Sequence, residues 1–414
     1  MASYDPLREA YEIREQLAPA ERRLAFFMGA GTSMAVGLPG ITKLTEMVEG
    51  HLADPFKTQF SKVKAELGLE NPNVENILDH IRICRELFGN NEGKQYGCLI
   101  GAKAATELDK QICQAIRRIV DDTSPQEPIP HVIFAQWLQQ LRTHRDWPVE
   151  LFTTNYDLLL EKSMENLSVP FFDGFIGSVT PFFVPESVEA EPSKHSQSVY
   201  PPKTWTRLWK LHGSINWYIS DSQNGNPTRI SRSSGSNTPV GSELVIFPSR
   251  EKYTQSRKLP FLTFQDRLRR FVSYSSCLMV VIGYSFGDQH LNEIIFQGLR
   301  SNPDLTVTVF CHSALQENLI RLGQELRNLA VYCTDRACIG GLVGSWGGPS
   351  RAKKEEEIWP FWDDSRKQFT LGDFNNFASF LELCIGFRPV LEAAVSPTTI
   401  SKESAEAIQG GSKT

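Results

Sequence analysis

No stretch of this 414-residue sequence is apolar for long enough to suit a membrane. The longest apolar run, Cys277 to Phe286, falls well short of the ~20 residues that a bilayer-spanning helix takes. The first residues, Met1 to Glu9, have no apolar core of the signal-peptide kind. A soluble, cytoplasmic protein with no membrane partner is therefore expected. A basic surplus is also lacking: 43 Lys and Arg stand against 48 Asp and Glu, a formal charge of -5. That balance argues against a protein that grips duplex DNA by charge, and leaves a local contact with nucleic acid open. The cluster Arg267, Arg269 and Arg270 reads as the solvated face of a helix. Paired cysteines are missing too. Cys84, Cys98, Cys113, Cys277, Cys311, Cys333, Cys338 and Cys384 include no C-x-x-C, and Cys333 with Cys338 has no second pair to complete a tetrahedron. They read as reduced, mostly buried thiols, with no zinc module and no other metal.

What the sequence does have is a series of short, unbroken apolar segments alternating with amphipathic ones. Leu24–Met28, Val149–Thr153, Arg207–His212, Glu243–Phe247, Leu278–Ile282, Leu305–Cys311 and Ala330–Tyr332 read as buried strands. Between several of them lie helical patterns, such as His131–Thr143, Leu158–Asn166, Asp288–Leu299 and Ala314–Asn328. Strands apolar on both sides and separated by helices predict an α/β fold, a Rossmann-like parallel sheet with helices on both faces. The organisation expected along the chain is a charged leader helix over 1–23 and a main domain over 24–335. That domain carries a helical insert at about 41–130 and irregular loops at about 170–205 and 221–240. An extension over 336–395 closes with a helix, Asp373–Cys384, packed on the same domain, and a disordered tail follows over 396–414.

Ligands of such sheets sit at the carboxyl ends of the strands. Four predicted strands end in unusual polar residues: Gly29-Ala30-Gly31-Thr32-Ser33, Thr154-Asn155-Tyr156-Asp157, His212-Gly213-Ser214 and Gly283-Tyr284-Ser285-Phe286-Gly287-Asp288. One polar strand end is a turn; four in one sheet point to one pocket. Gly29, Ala30 and Gly31 would let the backbone approach a pyrophosphate, with amides near Thr32 and Ser33 offered to the anion. The third glycine of the dinucleotide fingerprint is missing, since Met34 occupies its place, and a glycine-rich structural turn explains the motif equally well. Asn155 and Asp157 suit either a ribose hydroxyl or a helix N-cap. His212 can titrate near neutrality and take a proton from a sugar hydroxyl, or be a structural histidine. Gly283-Tyr284-Ser285-Phe286-Gly287 also fits the nucleophile elbow of a serine esterase. In that rival reading Ser285 attacks, His312 is the base and Asp304 its acid.

Taken in order, the four strand ends resemble the sirtuin (SIR2) family, whose members carry Gly-Ala-Gly-x-Ser, Gln-Asn-x-Asp, His-Gly and Gly-Thr-Ser. The matching residues are Gly29 to Ser33, Thr154 to Asp157, His212-Gly213 and Gly283 to Ser285. The chain departs from the sirtuin deacylases in having no cysteine pairs and in reading Gly37-Leu38-Pro39-Gly40-Ile41-Thr42 where they have Gly-Ile-Pro-Asp-Phe-Arg. Its wording is similar to a SIR2-like branch of bacterial anti-phage systems, above all the SIR2 protein that works with a HerA-type hexameric ATPase.

That resemblance implies an NAD hydrolase that releases nicotinamide and ADP-ribose, with NAD as substrate and no cofactor. Asn155 and His212 would be catalytic. Gly29, Ala30, Gly31, Ser33, Thr154, Asp157, Gly283, Ser285 and Asp288 would bind NAD, the glycine turn at the pyrophosphate and Ser285 with Asp288 on the adenosine side. A homo-oligomer, a HerA-type partner and a role as an NAD-depleting defence effector are implied in the same way. A sensor that binds NAD or ADP-ribose without cleaving it is the other alternative.

Overall fold

The computed structural model describes residues 2–125, 129–190, 201–220, 229–235, 238–239, 242–246, 255–313, 317–352 and 358–384. Its centre is a ten-stranded sheet. In chain order the strands are β1 (Ala2–Tyr4), β2 (Arg23–Met28), β3 (Glu150–Thr153), β4 (Phe171–Phe172), β5 (Thr206–Lys210), β6 (Cys277–Ile282), β7 (Leu305–Phe310), β8 (Leu329–Tyr332), β9 (Arg336–Ile339) and β10 (Leu342–Trp346). Across the sheet they run β1-β10-β9-β8-β7-β6-β2-β3-β5-β4. The stretch from β8 to β4 is parallel throughout. The chain therefore starts at β2 in the middle, builds outward through β3 and β5, then returns to lay β6, β7 and β8 on the other side. The reversal falls between β2 and β6, and a crevice opens there at the carboxyl ends of the strands.

Side-chain alternation along the strands explains both layers. In β2, Ala25 and Phe27 join the apolar core on one face, while Leu24, Phe26 and Met28 join the core on the other. Met279 and Val281 of β6 point with the first set, and Leu278, Val280 and Ile282 with the second. The first core is covered by helices Gln255–Ser273, Gln289–Ser301 and Glu317–Glu325, through residues such as Phe264, Leu268, Ile295 and Leu319. Helices Pro6–Leu17, Pro130–Leu141, Leu159–Asn166 and Phe374–Cys384 cover the second, where Phe134, Trp137 and Phe377 meet Phe26 edge to face. Strands with both faces buried are near-continuous apolar runs, which is why they stand out in the sequence.

Between β2 and β3 the insert folds as helices Ile41–His51, Phe56–Glu66, Val74–Phe88 and Ala102–Asp122, with a small hairpin, Gln95–Tyr96 and Leu99–Ile100. Its core includes Ile77, Ile81, Leu108 and Ile112, and also Ile215, Tyr218, Leu244 and Ile246. Those last four come from a second, antiparallel sheet, so the insert is roofed by strands rather than standing alone.

Several segments differ from their sequence reading. The leader is a strand and a shorter helix, and it is not peripheral: Leu7, Ala10, Ile13 and Leu17 are buried against the main sheet. β9 and β10 turn at Gly340 and Gly341 and extend the sheet, and β1 pairs with β10. The region read as an irregular loop over 170–205 contains β4, two further short strands and a short helix, Pro185–Glu189. Arg229–Arg232, inside the predicted loop 221–240, is a strand of the second sheet, as is Glu243–Ile246. Runs of two to four residues carry too little periodicity to be read. The predicted tail, 396–414, lies outside the described residues.

Arg267 is the clearest correction on the surface reading. It is buried on helix Gln255–Ser273, and its guanidinium forks onto Glu150 of β3 at 2.8 and 2.7 Å. Trp209 of β5 donates its indole N–H to the same carboxylate at 2.8 Å. Burial opposes the Glu150 charge, and Arg267 outweighs it, holding the carboxyl below its ordinary range. Arg269 instead pairs at the surface with Asp266. We expect Arg267→Ala to leave a buried carboxylate without its counter-ion and to lower stability by about 3–5 kcal/mol. Urea denaturation of this variant checks the value, and replacing Glu150 by Gln in the same chain should recover part of the loss.

Candidate functional site

The β2 and β6 ends are locked together by glycine. Gly29 donates its N–H to the carbonyl of Ile282 at 3.0 Å, and Gly31 to the carbonyl of Gly283 at 2.8 Å. A Cβ on Gly29 would lie 2.5 Å from the Gly283 oxygen, and one on Gly31 would lie 2.6 Å from the Gly283 Cα. Gly283 itself has φ +64 and equally little room, facing the Thr32 nitrogen at 2.6 Å. The glycines thus serve the approach of two backbones first. The amide of Thr32, expected to be offered to an anion, is instead bonded to the carbonyl of Gly29 at 3.0 Å.

The β3 end is tied to the same turn. Asn155 directs its amide nitrogen at the Gly29 carbonyl, Thr32 Oγ1 and Ser33 Oγ, at 3.1, 3.0 and 2.8 Å. Its carbonyl oxygen takes no hydrogen bond from any described residue. Ser33 donates its hydroxyl to Asp157 Oδ2 at 2.6 Å. The other Asp157 oxygen accepts from the Leu159 amide at 3.0 Å, at the start of helix Leu159–Asn166. Asp157 thus bonds Ser33 and the backbone just ahead of the helix; the N-cap position itself falls to Leu158, one residue later than the helix-cap reading of Asp157 expects. Beside it, Lys210 is buried between the Asp157 carbonyl and Glu161, with 2.8 Å to the latter. His131 is buried nearby, and burial pushes its imidazole down to about 4 against the pull of Asp157.

His212 follows β5. The chain crosses there into the second sheet at Gly213, whose φ of +82 and 2.1 Å Cβ clearance from the Val245 oxygen admit no side chain. His212 Nε2 lies 3.0 Å from Asp288 Oδ2. Asp288 also caps helix Gln289–Ser301, its Oδ1 accepting from the Leu291 amide at 3.1 Å. On the other side of the ring, Nδ1 lies 3.8 Å from Glu75 Oε1. Burial works against a charged imidazole, but the bonds to Asp288 and Glu75 prevail and raise His212 to about 9. A value of about 9 favours the charged ring at neutral pH, which differs from the near-neutral titration that a lone histidine suggests.

These groups surround one cavity of about 860 Å³. Of the residues that the resemblance makes catalytic or NAD-binding, all line it except Gly29; Thr32, and Asp304 of the elbow reading, do not. Asp288 is placed with His212, whereas the sequence reading put it on the adenosine side. Sequence reasoning missed Glu75 from the insert, and Phe310, Cys311, Asp373, Phe374 and Asn375 from the carboxyl-terminal side, all of which face the cavity; His312, named only as the base of the elbow reading, lines it too. Only their place in the fold reveals them; an acidic residue in a first helical turn is commonplace.

Residues 149–328 match a family model described as a SIR2-like domain. The SIR2-like segment contains Asn155, His212 and Gly283 to Asp288, whereas the glycine turn and Glu75 precede it. A Sir2 homologue solved as an NAD complex is similar at 13% identity, covering 80% of this chain and 89% of that chain, with a TM-score of 0.37. A triply substituted Sir2 homologue with 2′-O-acetyl ADP ribose is similar at 13% identity over 74% and 85%, with a TM-score of 0.33. No curated protein gives a significant match. Among the described residues no group of three or more His, Cys, Asp or Glu is placed to hold a metal ion, and no helix is long and apolar enough to cross a membrane. All eight cysteines are free thiols, five of them buried.

The elbow alternative fails on geometry. The positive φ values in its loop belong to Gly283 and Phe286, not to Ser285, and the helix starts only at Gln289. Asp304 and His312 are eight positions apart at opposite ends of β7, which at about 3.3 Å per residue sets them more than about 20 Å apart. Asp304 cannot orient His312.

The clamp on His212 has a consequence for stability. Its folded value of about 9 lies above the ordinary 6.5. The stabilisation is therefore complete below pH 6.5 and is lost as pH rises through 9, by up to about 3 kcal/mol. Denaturation between pH 6 and 10 should show this loss in the wild type and a flatter curve in His212→Gln.

Proposed function

We propose that this chain cleaves the nicotinamide–ribose bond of NAD with water as acceptor, giving nicotinamide and ADP-ribose. One observation carries the reading: neighbouring strand ends bring Asn155 and the His212–Asp288 pair to one cavity beside the glycine turn. The volume suits a ligand of cofactor size. The SIR2-like match spans both proposed catalytic residues, and the ordered resemblance of the strand ends supplies NAD as the substrate.

The chemistry asks little of the protein. When the C1′–N bond breaks, its electron pair neutralises the nicotinamide ring, so the leaving group needs no acid. An oxocarbenium-like ribose remains, and its stabilisation is the enzyme's task. Asn155, anchored through its amide nitrogen, presents its free carbonyl oxygen to a ribose hydroxyl or to the attacking water. The water oxygen bonds to C1′ and its proton passes to neutral His212, whose Nε2 side is held by Asp288. The cationic nicotinamide of bound NAD opposes a second positive charge in the cavity and favours release of the proton that the ring carries beforehand. Ala30, Gly31 and Ser33 line the pyrophosphate end, with Gly29 beneath them, and Thr154, Gly283 and Ser285 complete the walls.

The wording of the strand ends also supports a cytoplasmic NAD-depleting effector of anti-phage defence, a homo-oligomer, and a HerA-type hexameric ATPase as partner. The cationic resting state of His212 favours a second reading, a sensor that binds NAD or ADP-ribose without cleaving it. Nicotinamide release by the purified chain separates the two. Asn155→Ala or His212→Ala should lower that release by about 10² or more with an unchanged circular dichroism spectrum. Undiminished release by a folded His212→Ala chain would remove the histidine from the mechanism.

A further inference from the structure

The helical insert puts a carboxylate into the cavity that the reaction as proposed does not use. Glu75 is the second residue of helix Val74–Phe88, and the start of that helix is firmly held. Asn73 and Asn76 cap each other's backbone at 3.0 and 3.1 Å, and the Val74 amide donates to Thr45 Oγ1 at 2.9 Å. From there Glu75 reaches across the cavity. Its Oε1 accepts a hydrogen bond from the Tyr156 hydroxyl and faces His212 Nδ1 at 3.8 Å. It thereby bridges the β3 end, through Tyr156, and the β5 end, through His212.

The other groups around the imidazole are few. Asp288 holds Nε2, and Tyr284 donates to the Asp288 carbonyl at 3.2 Å and to Asn292 at 2.9 Å. Arg82, two turns along the helix that carries Glu75, is taken up by a buried two-point pair with Asp109 at 2.8 and 2.9 Å.

We propose that Glu75 is a positioning residue for NAD cleavage, clamping His212 from the Nδ1 side opposite Asp288 so that the insert governs when the histidine can accept a proton. The proposal rests on the NAD-cleaving reading of the cavity. Nε2 is committed to Asp288, and Glu75 holds the Nδ1 edge of the ring. Two carboxylates on one imidazole keep it charged, and a charged imidazole is no base. A ribose hydroxyl that takes Glu75's place at Nδ1, or an outward shift of the insert, relieves the clamp. The insert then acts as a gate on chemistry as well as on access.

The test uses the full chain with Glu75→Gln, which keeps size and an acceptor for Tyr156 but removes the charge. Two readouts are followed across pH 5–10: kcat/KM for nicotinamide release, and the His212 imidazole resonance in the unliganded protein, assigned by its loss in His212→Gln. The acidic limb of the rate profile and the His212 titration should both move down by about one pH unit. Release at pH 7 should then rise about tenfold. Glu75→Asp, which restores the charge, should return part of the displacement and stands in for the Gln variant if that chain does not fold. An unmoved limb and titration, or a lower rate with an unchanged profile, would overturn the clamp. A shifted His212 titration in a protein that releases no nicotinamide would overturn the NAD reading and leave the clamp standing.

Discussion

The contact on which everything else depends is the one between Gly29, Gly31 and Gly283. It joins the ends of β2 and β6, the two central strands where the chain reverses its direction of sheet building. Backbone lies against backbone there, at distances that a single methyl group would break. The short turn through Thr32 and Ser33 is fixed by that contact, and Asn155 reads the turn through three of its atoms. A glycine motif met in sequence invites a phosphate. In this protein its first duty is mechanical, and the cavity above it exists because that duty is met.

The polar residues above the turn each do two things. Asp288 caps a helix with one carboxylate oxygen and holds His212 with the other, and Asp157 bonds the backbone amide of Leu159 with one oxygen and Ser33 with the other. Such economy couples the site to the scaffold. The helices that cover the two faces of the sheet also set where Ser33 and His212 sit, so the geometry does not depend on flexible loops. Glu75 is built differently. Its helix belongs to the insert, whose apolar core is shared with the second sheet rather than with the main one. Two bodies of packing meet at His212, and its charge state reflects the contribution of both.

The parallel sheet was legible because strands buried on both faces are mostly apolar, and β2, β3, β6 and β7 each carry such a run. The four polar strand ends were legible as exceptions to that rule. The hairpin of β9 and β10, the strand Arg229–Arg232 and the pairing of β1 were not, because pairs made over a few residues leave no period. Arg267 was misread because three neighbouring arginines look alike in sequence, while helix geometry turns only one of them inward to Glu150. Glu75 was invisible for another reason: it is remote in sequence from every strand end, and only the folding of the insert over the crevice brings it to His212. The charge of His212 followed from the same omission, since a histidine judged without its carboxylates is assigned the pKa of a free imidazole.

An experimental structure of the protein with ADP-ribose, the proposed product, tests the central claim most directly. The account places the ligand over the strand ends, its pyrophosphate above the turn of Gly29 to Ser33 and its terminal ribose within hydrogen-bond distance of Asn155 and His212. ADP-ribose bound in that cavity with its terminal ribose turned away from both residues, or bound elsewhere on the chain, would contradict it.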